Sequence, residues 1–159
     1  MSTTDSNPSS PTNHLIVVGS SSGGIEALSI FVSTLPALFP APIVLAQHLD
    51  PNRPSTLSTL LQRRTVLPVK VLAAHTSLVP GEIYVVPPDR HVTIHDGFAE
   101  TQEDQQGRPK PSVDLLFSSA ARTYGERVIA VILTGSGSNG AAGAIEVKRA
   151  GGIVIIQNP

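Results

Sequence analysis

The sequence predicts an α/β fold, with a doubly wound, mainly parallel sheet, helices on both faces and a small antiparallel insertion. Three observations favour it. Short apolar runs alternate with segments of helical periodicity, several of those runs end in polar or Gly/Ser clusters, and short β-rich stretches between Pro/Gly turns occupy the middle of the chain. Continuous apolar runs that alternate with amphipathic helices are typical of parallel strands covered on both faces.

The first third of the sequence alternates strands and helices. The predicted elements are a strand at residues 14–19, a helix at 23–35, a strand at 43–48, and a helix that starts within 50–55 and ends near 64. Both strand segments are short, apolar and rich in β-branched residues. The first helix carries apolar residues at helical spacing, and the second follows a Pro/Asn turn.

The middle third predicts the antiparallel insertion. Three short strands are expected at residues 69–72, 82–86 and 91–95, separated by the turns Pro80-Gly81 and Pro87-Pro88-Asp89-Arg90. Such turns between short β-rich runs indicate antiparallel pairing. The polar segment 100–110 is expected to be a mobile loop.

The last third returns to the alternating pattern. A helix is predicted at residues 112–123, with Ser112 as its N-cap and Asp114 in the first turn, where a carboxylate suits the helix dipole. The remaining elements are a strand at 127–134, a helix at 141–150 capped by Gly151-Gly152, and a strand at 153–157.

The 159 residues are expected to form one domain. Residues 1–13 are rich in Ser, Thr, Pro and Asn and predict a disordered tail. The domain at 14–159 stops directly after a strand. We therefore expect it either to be truncated at its C-terminus or to have that face covered by a partner.

Composition excludes several classes of function. The net charge of −1, with four Phe, two Tyr and no Trp, argues against a nucleic-acid partner. The absence of cysteine excludes disulfides, zinc thiolates and thiol catalysis. No signal peptide or membrane-spanning run is visible, so no membrane insertion is expected, and a cytoplasmic location fits the sequence.

Three polar clusters follow three of the predicted parallel strands. They are Ser20 to Ser22, Gln47-His48, and Thr134 to Asn139. Because the carboxyl ends of adjacent parallel strands share one edge of a sheet, we expect these clusters to converge in one crevice.

The turn Gly19-Ser20-Ser21-Ser22-Gly23-Gly24 allows three interpretations. It is a small-residue helix cap, a phosphate cradle, or a strand-turn-helix site for a nucleophile. It matches neither nucleotide-binding fingerprint, and it does not match G-x-S-x-G. On the turn alone, the helix cap is the favoured interpretation, and a nucleotide-binding module is the weakest.

His48 shifts the balance towards catalysis, because an imidazole one strand away from a hydroxyl-bearing turn could take a proton from serine. Asn139 could accept a hydrogen bond from that imidazole, or could serve only as a turn residue before Gly140. The other histidines are weaker candidates, and no metal site is expected because no third ligand accompanies His91 and His95.

Taken together, these motifs resemble the CheB-type chemotaxis methylesterases, the protein-glutamate methylesterase family. The segments that carry the resemblance are Val18 to Gly24, Ala46-Gln47-His48, Pro80-Gly81 with Tyr84 and Pro87-Pro88, Pro111 to Phe117, and Leu133 to Ala141. These motifs occur in the order found in the family, and the resemblance covers the chain from Leu15 to Asn158. The resemblance implies a cytoplasmic serine hydrolase that removes γ-methyl esters from glutamates of chemoreceptors and deamidates glutamines, without a cofactor or metal.

The resemblance also implies roles for individual residues. The nucleophile falls on Ser21, the base on His48 and the third triad position on Asn139. Substrate-binding positions fall on the hydroxyl-bearing Ser22, on Gly23 and on Ser136. The implied partners are cytoplasmic segments of chemoreceptors, and a receptor methyltransferase is a further candidate partner.

The sequence departs from the family pattern at the third triad position. The family has Asp where this chain has Asn139, and many members have Met where it has Ser136. An Asp-to-Asn change in a serine protease triad lowers turnover by roughly 10⁴-fold. Two hypotheses follow: a methylesterase with reduced activity, or a catalytically weak domain that regulates or interacts within a methylation system. Typical members also carry an N-terminal receiver domain and a further helical segment after the last strand.

Overall fold

The structure is a computed structural model that describes residues 13–21, 24–47, 56–103, 112–133 and 140–157. Its elements are β1 Leu15–Ser20, α1 Ile25–Ser33, β2 Ile43–Gln47, α2 Leu57–Gln62, β3 Val69–Val71, β4 His75–Ser77, β5 Ile83–Val85, β6 His91–His95, β7 Phe98–Gln102, α3 Val113–Tyr124, β8 Val128–Leu133, α4 Ala141–Arg149 and β9 Ile153–Ile156. A short 3-10 turn, Gly125–Arg127, joins α3 to β8. The predicted tail at 1–13 lies outside the described residues, except for Asn13.

Six strands form the main sheet in the order β3-β5-β2-β1-β8-β9. Every pairing in this sheet is parallel. The central strand β1 has β2 on one side and β8 on the other, so the strand order reverses at β1. A crevice at the carboxyl ends of the strands is expected at such a switch point. The predicted fold class is confirmed.

Each face of the main sheet has its own apolar core. On one face α1 and α2 pack against the sheet, and Leu28, Val32 and Leu61 are buried there. The opposite face is covered by α3, α4 and the small second sheet, with Leu116 and Phe117 of α3 fully buried. Because both faces are covered, β1 and β2 are buried along their whole length and are apolar at nearly every position.

The antiparallel insertion differs from its prediction in detail. The segments near 69–72 and 82–86 form β3 and β5, which are parallel strands of the main sheet. The antiparallel sheet is instead β4-β7-β6, and β7 begins before residue 100 and continues into the segment predicted as a mobile loop. The reason lies in burial: all three residues of β5 are buried, as befits an internal strand, and a short apolar run does not reveal its pairing direction.

The start of α3 is fixed as predicted and packs closely on β1. The Ser112 hydroxyl accepts a hydrogen bond from the Leu115 N–H at 3.1 Å, which makes Ser112 the N-cap. A Cβ at Gly19 would collide with the Val113 side chain, so glycine is needed where β1 approaches α3. Among the described helices, none combines the length and apolar character needed to cross a bilayer.

Candidate active site

The carboxyl ends of the three central strands lie side by side. Ser20, the last residue of β1, is in register with Gln47 at the end of β2 and with Leu133 at the end of β8. Neighbouring strands are about 4.8 Å apart, so these three backbone positions form one row at the sheet edge. The ends of β1, β2 and β8 are therefore adjacent, as expected. The convergence of the three polar clusters in one crevice stays a prediction, because residues 22, 48 and 134–139 lie outside the described residues.

Ser21 is the first residue after β1 and directly follows Ser20 of this row. It is half-buried. Its carbonyl oxygen accepts the Gly24 N–H at 2.9 Å, which closes a four-residue turn before α1 begins at Ile25. Ser21 thus lies directly after a parallel strand and shortly before a helix, the position in the chain that a strand-turn-helix nucleophile takes.

A second strand holds the same carbonyl. The Gln47 side-chain Nε2 donates to the Ser21 oxygen at 2.5 Å, and the Ser20 hydroxyl donates a longer bond of 3.3 Å to it. Gln47 is only 1% exposed. The Ser21 carbonyl is therefore held both by Gly24, which directly precedes α1, and by Gln47 of the neighbouring strand.

The other predicted site residues, His48, Ser22, Gly23, Ser136 and Asn139, lie outside the described residues. Their flanking positions are described. Gln47 directly precedes His48, and Leu133 ends the strand that leads to the segment containing Ser136 and Asn139. The roles assigned to these five residues remain predictions.

The residue that follows Asn139 is held by α3. Gly140 has a φ of 105°, in the left-handed region that favours glycine. The Asp114 carboxylate accepts the N–H groups of Gly140 and Gly143 at 3.0 and 2.8 Å. Asp114 was singled out in the sequence for the dipole of its own helix, but it also caps α4.

Three other histidines of the described chain, His75, His91 and His95, make contacts outside this row. His91 is buried, and its Nδ1 accepts the Ser112 N–H at 2.9 Å. His95 lies 3.0 Å from a Glu100 carboxylate oxygen, and both His75 and His95 stack on Phe98. Within the described ranges, no cluster of three or more His, Cys, Asp or Glu side chains could hold a metal ion.

The perturbed acid groups lie at the opposite edge of the sheet. Glu82 immediately precedes β5; its pKa is lowered chiefly by a hydrogen bond from Lys70, at 2.8 Å. Burial raises the pKa of Tyr84 to about 12. Its hydroxyl accepts the Val79 N–H and lies 3.0 Å from the Glu82 carboxylate. These groups contact one another near the start of β5.

Sequence reasoning missed the roles of two residues around the crevice. The sequence marks Gln47 as a polar residue at a strand end and Asp114 as a helix-dipole residue, each within a family motif, but predicts neither of the hydrogen-bonding roles described above. A polar side chain that ends an otherwise apolar strand was the available signal for Gln47, because such a group needs a hydrogen-bond partner when buried. The spacing between Asp114 and Gly140 carries no comparable signal.

Known proteins include relatives of this chain in sequence and in fold. The family model described as CheB methylesterase matches residues 16–159. A solved structure, the CheB methylesterase catalytic domain of Thermotoga maritima, superposes with a TM-score of 0.80 at 36% identity and covers 89% of this chain and 77% of that one.

Two curated relatives show how much of a longer protein the chain matches. A Leptospira interrogans protein, provisionally named a protein-glutamate methylesterase/protein-glutamine glutaminase, is 34% identical over 91% of this chain and 76% of its own length. A Thermotoga maritima protein-glutamate methylesterase/protein-glutamine glutaminase is 37% identical over 91% of this chain, but over only 43% of its own length. The chain thus spans less than half of the Thermotoga protein.

Proposed function

The chain belongs to the CheB methylesterase family, and we propose that it is a protein-glutamate methylesterase acting on γ-methyl esters of chemoreceptor glutamates. We extend the proposal to deamidation of glutamine, because the names of the relatives pair the two activities. The observation that supports it best is the position of Ser21 on a turn at the end of the central strand, beside the strand end that leads into His48.

In the proposed mechanism, the Ser21 hydroxyl attacks the ester carbonyl and His48 takes its proton. The tetrahedral intermediate then collapses: the bond between the acyl carbon and the methoxy oxygen breaks, and His48 returns the proton so that methanol leaves. Water attacks the resulting acyl-enzyme with His48 again as base. This step releases the glutamate side chain and restores the serine.

Backbone amides supply the proposed oxyanion stabilisation. Candidate donors are the amides of residues 22–24 and those of the turn at 135–140, both of which adjoin the carboxyl ends of central strands. Ser22, Gly23 and Ser136 are the proposed substrate-binding positions. Fixing the Ser21 carbonyl from two sides favours a preorganised turn, because donors aimed at a developing charge must already be in place.

The proposed substrate is a cytoplasmic segment of a chemoreceptor, and a receptor methyltransferase is a proposed partner. Neither proposed partner requires nucleic acid or insertion into a membrane. We propose a cytoplasmic location, because the receptor segment and the methyltransferase are both expected there. We propose residues 14–159 as the catalytic domain of the chain.

Asn139 supports a second candidate function, that of a catalytically weak regulatory domain. A neutral amide can orient an imidazole but cannot stabilise the imidazolium as a carboxylate does. The two candidates differ in one observable: the slow enzyme hydrolyses the methyl ester with Asn139 in place, and the regulatory domain does not.

Methanol release from a methylated chemoreceptor fragment tests the proposal. We expect the purified chain to release methanol and the Ser21→Ala variant to release none above background. Ser33→Ala is the matched control, because Ser33 is an exposed residue near the end of α1 whose hydroxyl only donates to the Ile30 carbonyl. Equal rates for Ser21→Ala and the unmodified chain would exclude Ser21 as nucleophile. No release from the unmodified chain would favour the regulatory domain.

A further inference from the structure

The buried side chain of Gln47 makes a hydrogen bond to the described residues through only one of its two polar atoms. Its Nε2 donates to the Ser21 carbonyl, whereas its Oε1 is buried and has no donor among the described residues. The orientation of the amide follows from chemistry: a carbonyl oxygen can only accept, so the NH₂ end must face Ser21.

A buried acceptor without a donor destabilises a fold, because the group loses its hydrogen bonds to water. An apolar side chain of similar size at this position would avoid that loss. The Ser21 carbonyl would still accept the Gly24 N–H at 2.9 Å, so the fold itself does not depend on Gln47 to satisfy this oxygen. Stability alone therefore does not explain a glutamine here.

The contact made by Gln47 does have a consequence for the serine turn. It links the last residue of β2 to the first residue after β1, across a pair of strands in parallel register. The same β2 residue directly precedes His48. A single side chain thus couples the backbone of the proposed nucleophile to the last residue of β2, which precedes the proposed base in the sequence.

From these observations we propose that Gln47 is a positioning residue for Ser21. It fixes the Ser21 backbone relative to the end of β2. The inference rests on the proposed function, because it assigns Gln47 to the same serine–histidine site. It adds that Gln47 acts in catalysis and is not required for the stability of the fold.

The test measures stability and catalysis on the same variants. Gln47→Met replaces the amide with an apolar side chain of similar length, and Gln47→Glu keeps the shape but places a carboxylate, which only accepts, against the Ser21 carbonyl. For Gln47→Met we expect an unchanged or higher Tm, with kcat on a methylated receptor fragment lowered by roughly ten- to a hundredfold and KM little changed. For Gln47→Glu we expect a comparable or larger loss of kcat.

Gln62 offers a matched control. Its side chain also bridges backbone groups, donating to the Leu67 carbonyl and accepting the Val69 N–H, both at 2.8 Å. It lies at the end of α2 and contacts the approach to β3 rather than the serine turn. Gln62→Met should lower Tm and leave kcat unchanged, which is the reverse of the result expected for Gln47→Met.

Labelling of Ser21 by a fluorophosphonate, followed by mass spectrometry of the intact chain, distinguishes failure of this inference from failure of the proposed function. A lower labelling rate in both Gln47 variants, with Tm retained in at least one, supports the inference. If the unmodified chain is labelled at Ser21 and both folded variants react at the same rate, Gln47 is not a positioning residue, although the proposed function stands. If Ser21 in the unmodified chain does not react, the proposed function and this inference both fail.

Discussion

The Asp114 carboxylate accepts the backbone N–H of Gly140 at 3.0 Å, and so ties the first turn of α3 to the start of α4. The same oxygen accepts the Gly143 N–H at 2.8 Å. The first N–H groups of a helix have no partners within the helix, and here a neighbouring helix supplies the acceptor. Because Gly140 follows Asn139, this contact also anchors one end of the segment that completes the proposed site.

Replacing Asp114 with alanine should therefore destabilise the chain. Two buried or partly buried N–H groups would lose a charged acceptor, and we expect the free energy of unfolding to fall by about 2–3 kcal/mol. Asp114→Asn keeps one acceptor oxygen, so its free energy of unfolding should fall clearly less than that of the alanine variant. Urea denaturation followed by circular dichroism measures both variants. An alanine variant as stable as the asparagine variant would show that these bonds contribute little.

Asn139→Asp should raise the rate of ester hydrolysis. A carboxylate behind the imidazole favours the productive tautomer and stabilises the imidazolium, an effect of up to roughly 10⁴-fold in serine protease triads. Methanol release at saturating substrate measures the gain, and the double variant with Ser21→Ala should remain inactive. A rate that does not change would show that residue 139 is not the third member of a triad here.

Gly143→Ala should weaken the packing of α3 on α4. An added Cβ would lie 2.6 Å from the Phe117 Cβ and 3.0 Å from the Asp114 carbonyl oxygen, and neither of these atoms can move without shifting a helix. We expect overpacking to lower stability by about 1–3 kcal/mol. Ala142→Ser, at an exposed position of the same helix, should change stability by less than about 0.5 kcal/mol. Thermal denaturation compares the two, and similar Tm values would contradict the prediction.

The ion pair between Lys70 and Glu82 should make a pH-dependent contribution to stability. Because the pKa of Glu82 is lowered in the folded chain, its contribution is present above its ordinary pKa of 4.5 and is lost as the pH falls through the lowered value. Lys70 is 54% exposed, so Lys70→Met should reduce stability by no more than about 1 kcal/mol at pH 7. Urea denaturation measures the difference in the free energy of unfolding between the original chain and Lys70→Met. We expect this difference to be smaller at pH 3 than at pH 7. A difference that persists or grows at pH 3 would contradict this assignment.

The sequence predicted the main sheet more fully than its insertion. The apolar runs that became β1, β2 and β8 were recognisable because strands buried on both faces have a continuous apolar signature. β4 has no such signature: His75 and Ser77 are exposed, and its pairing with β7 joins residues distant in sequence. Ser112 was predicted correctly because N-capping depends on local sequence alone.

The candidate site was predictable to the extent that it follows from strand order. The alignment of Ser20 with Gln47 and Leu133 follows from adjacent parallel strands. The hydrogen bond from Gln47 to Ser21 depends on a rotamer and on the path of a turn, and neither is encoded in a short pattern. The roles of His48 and Asn139 remain predictions.

Strand β1 pairs Ile16 with Ile43 on one side and Leu15 with Val128 on the other. During synthesis β8 emerges from the ribosome long after β2. The edge of β1 that pairs with β8 therefore stays unpaired in the nascent chain until β8 has been made. Contacts this far apart in sequence slow folding, and an unpaired strand edge invites association with other chains. The row of strand ends at Ser20, Gln47 and Leu133 is therefore completed only once β8 has been made, and until then β1 keeps one edge exposed to other chains.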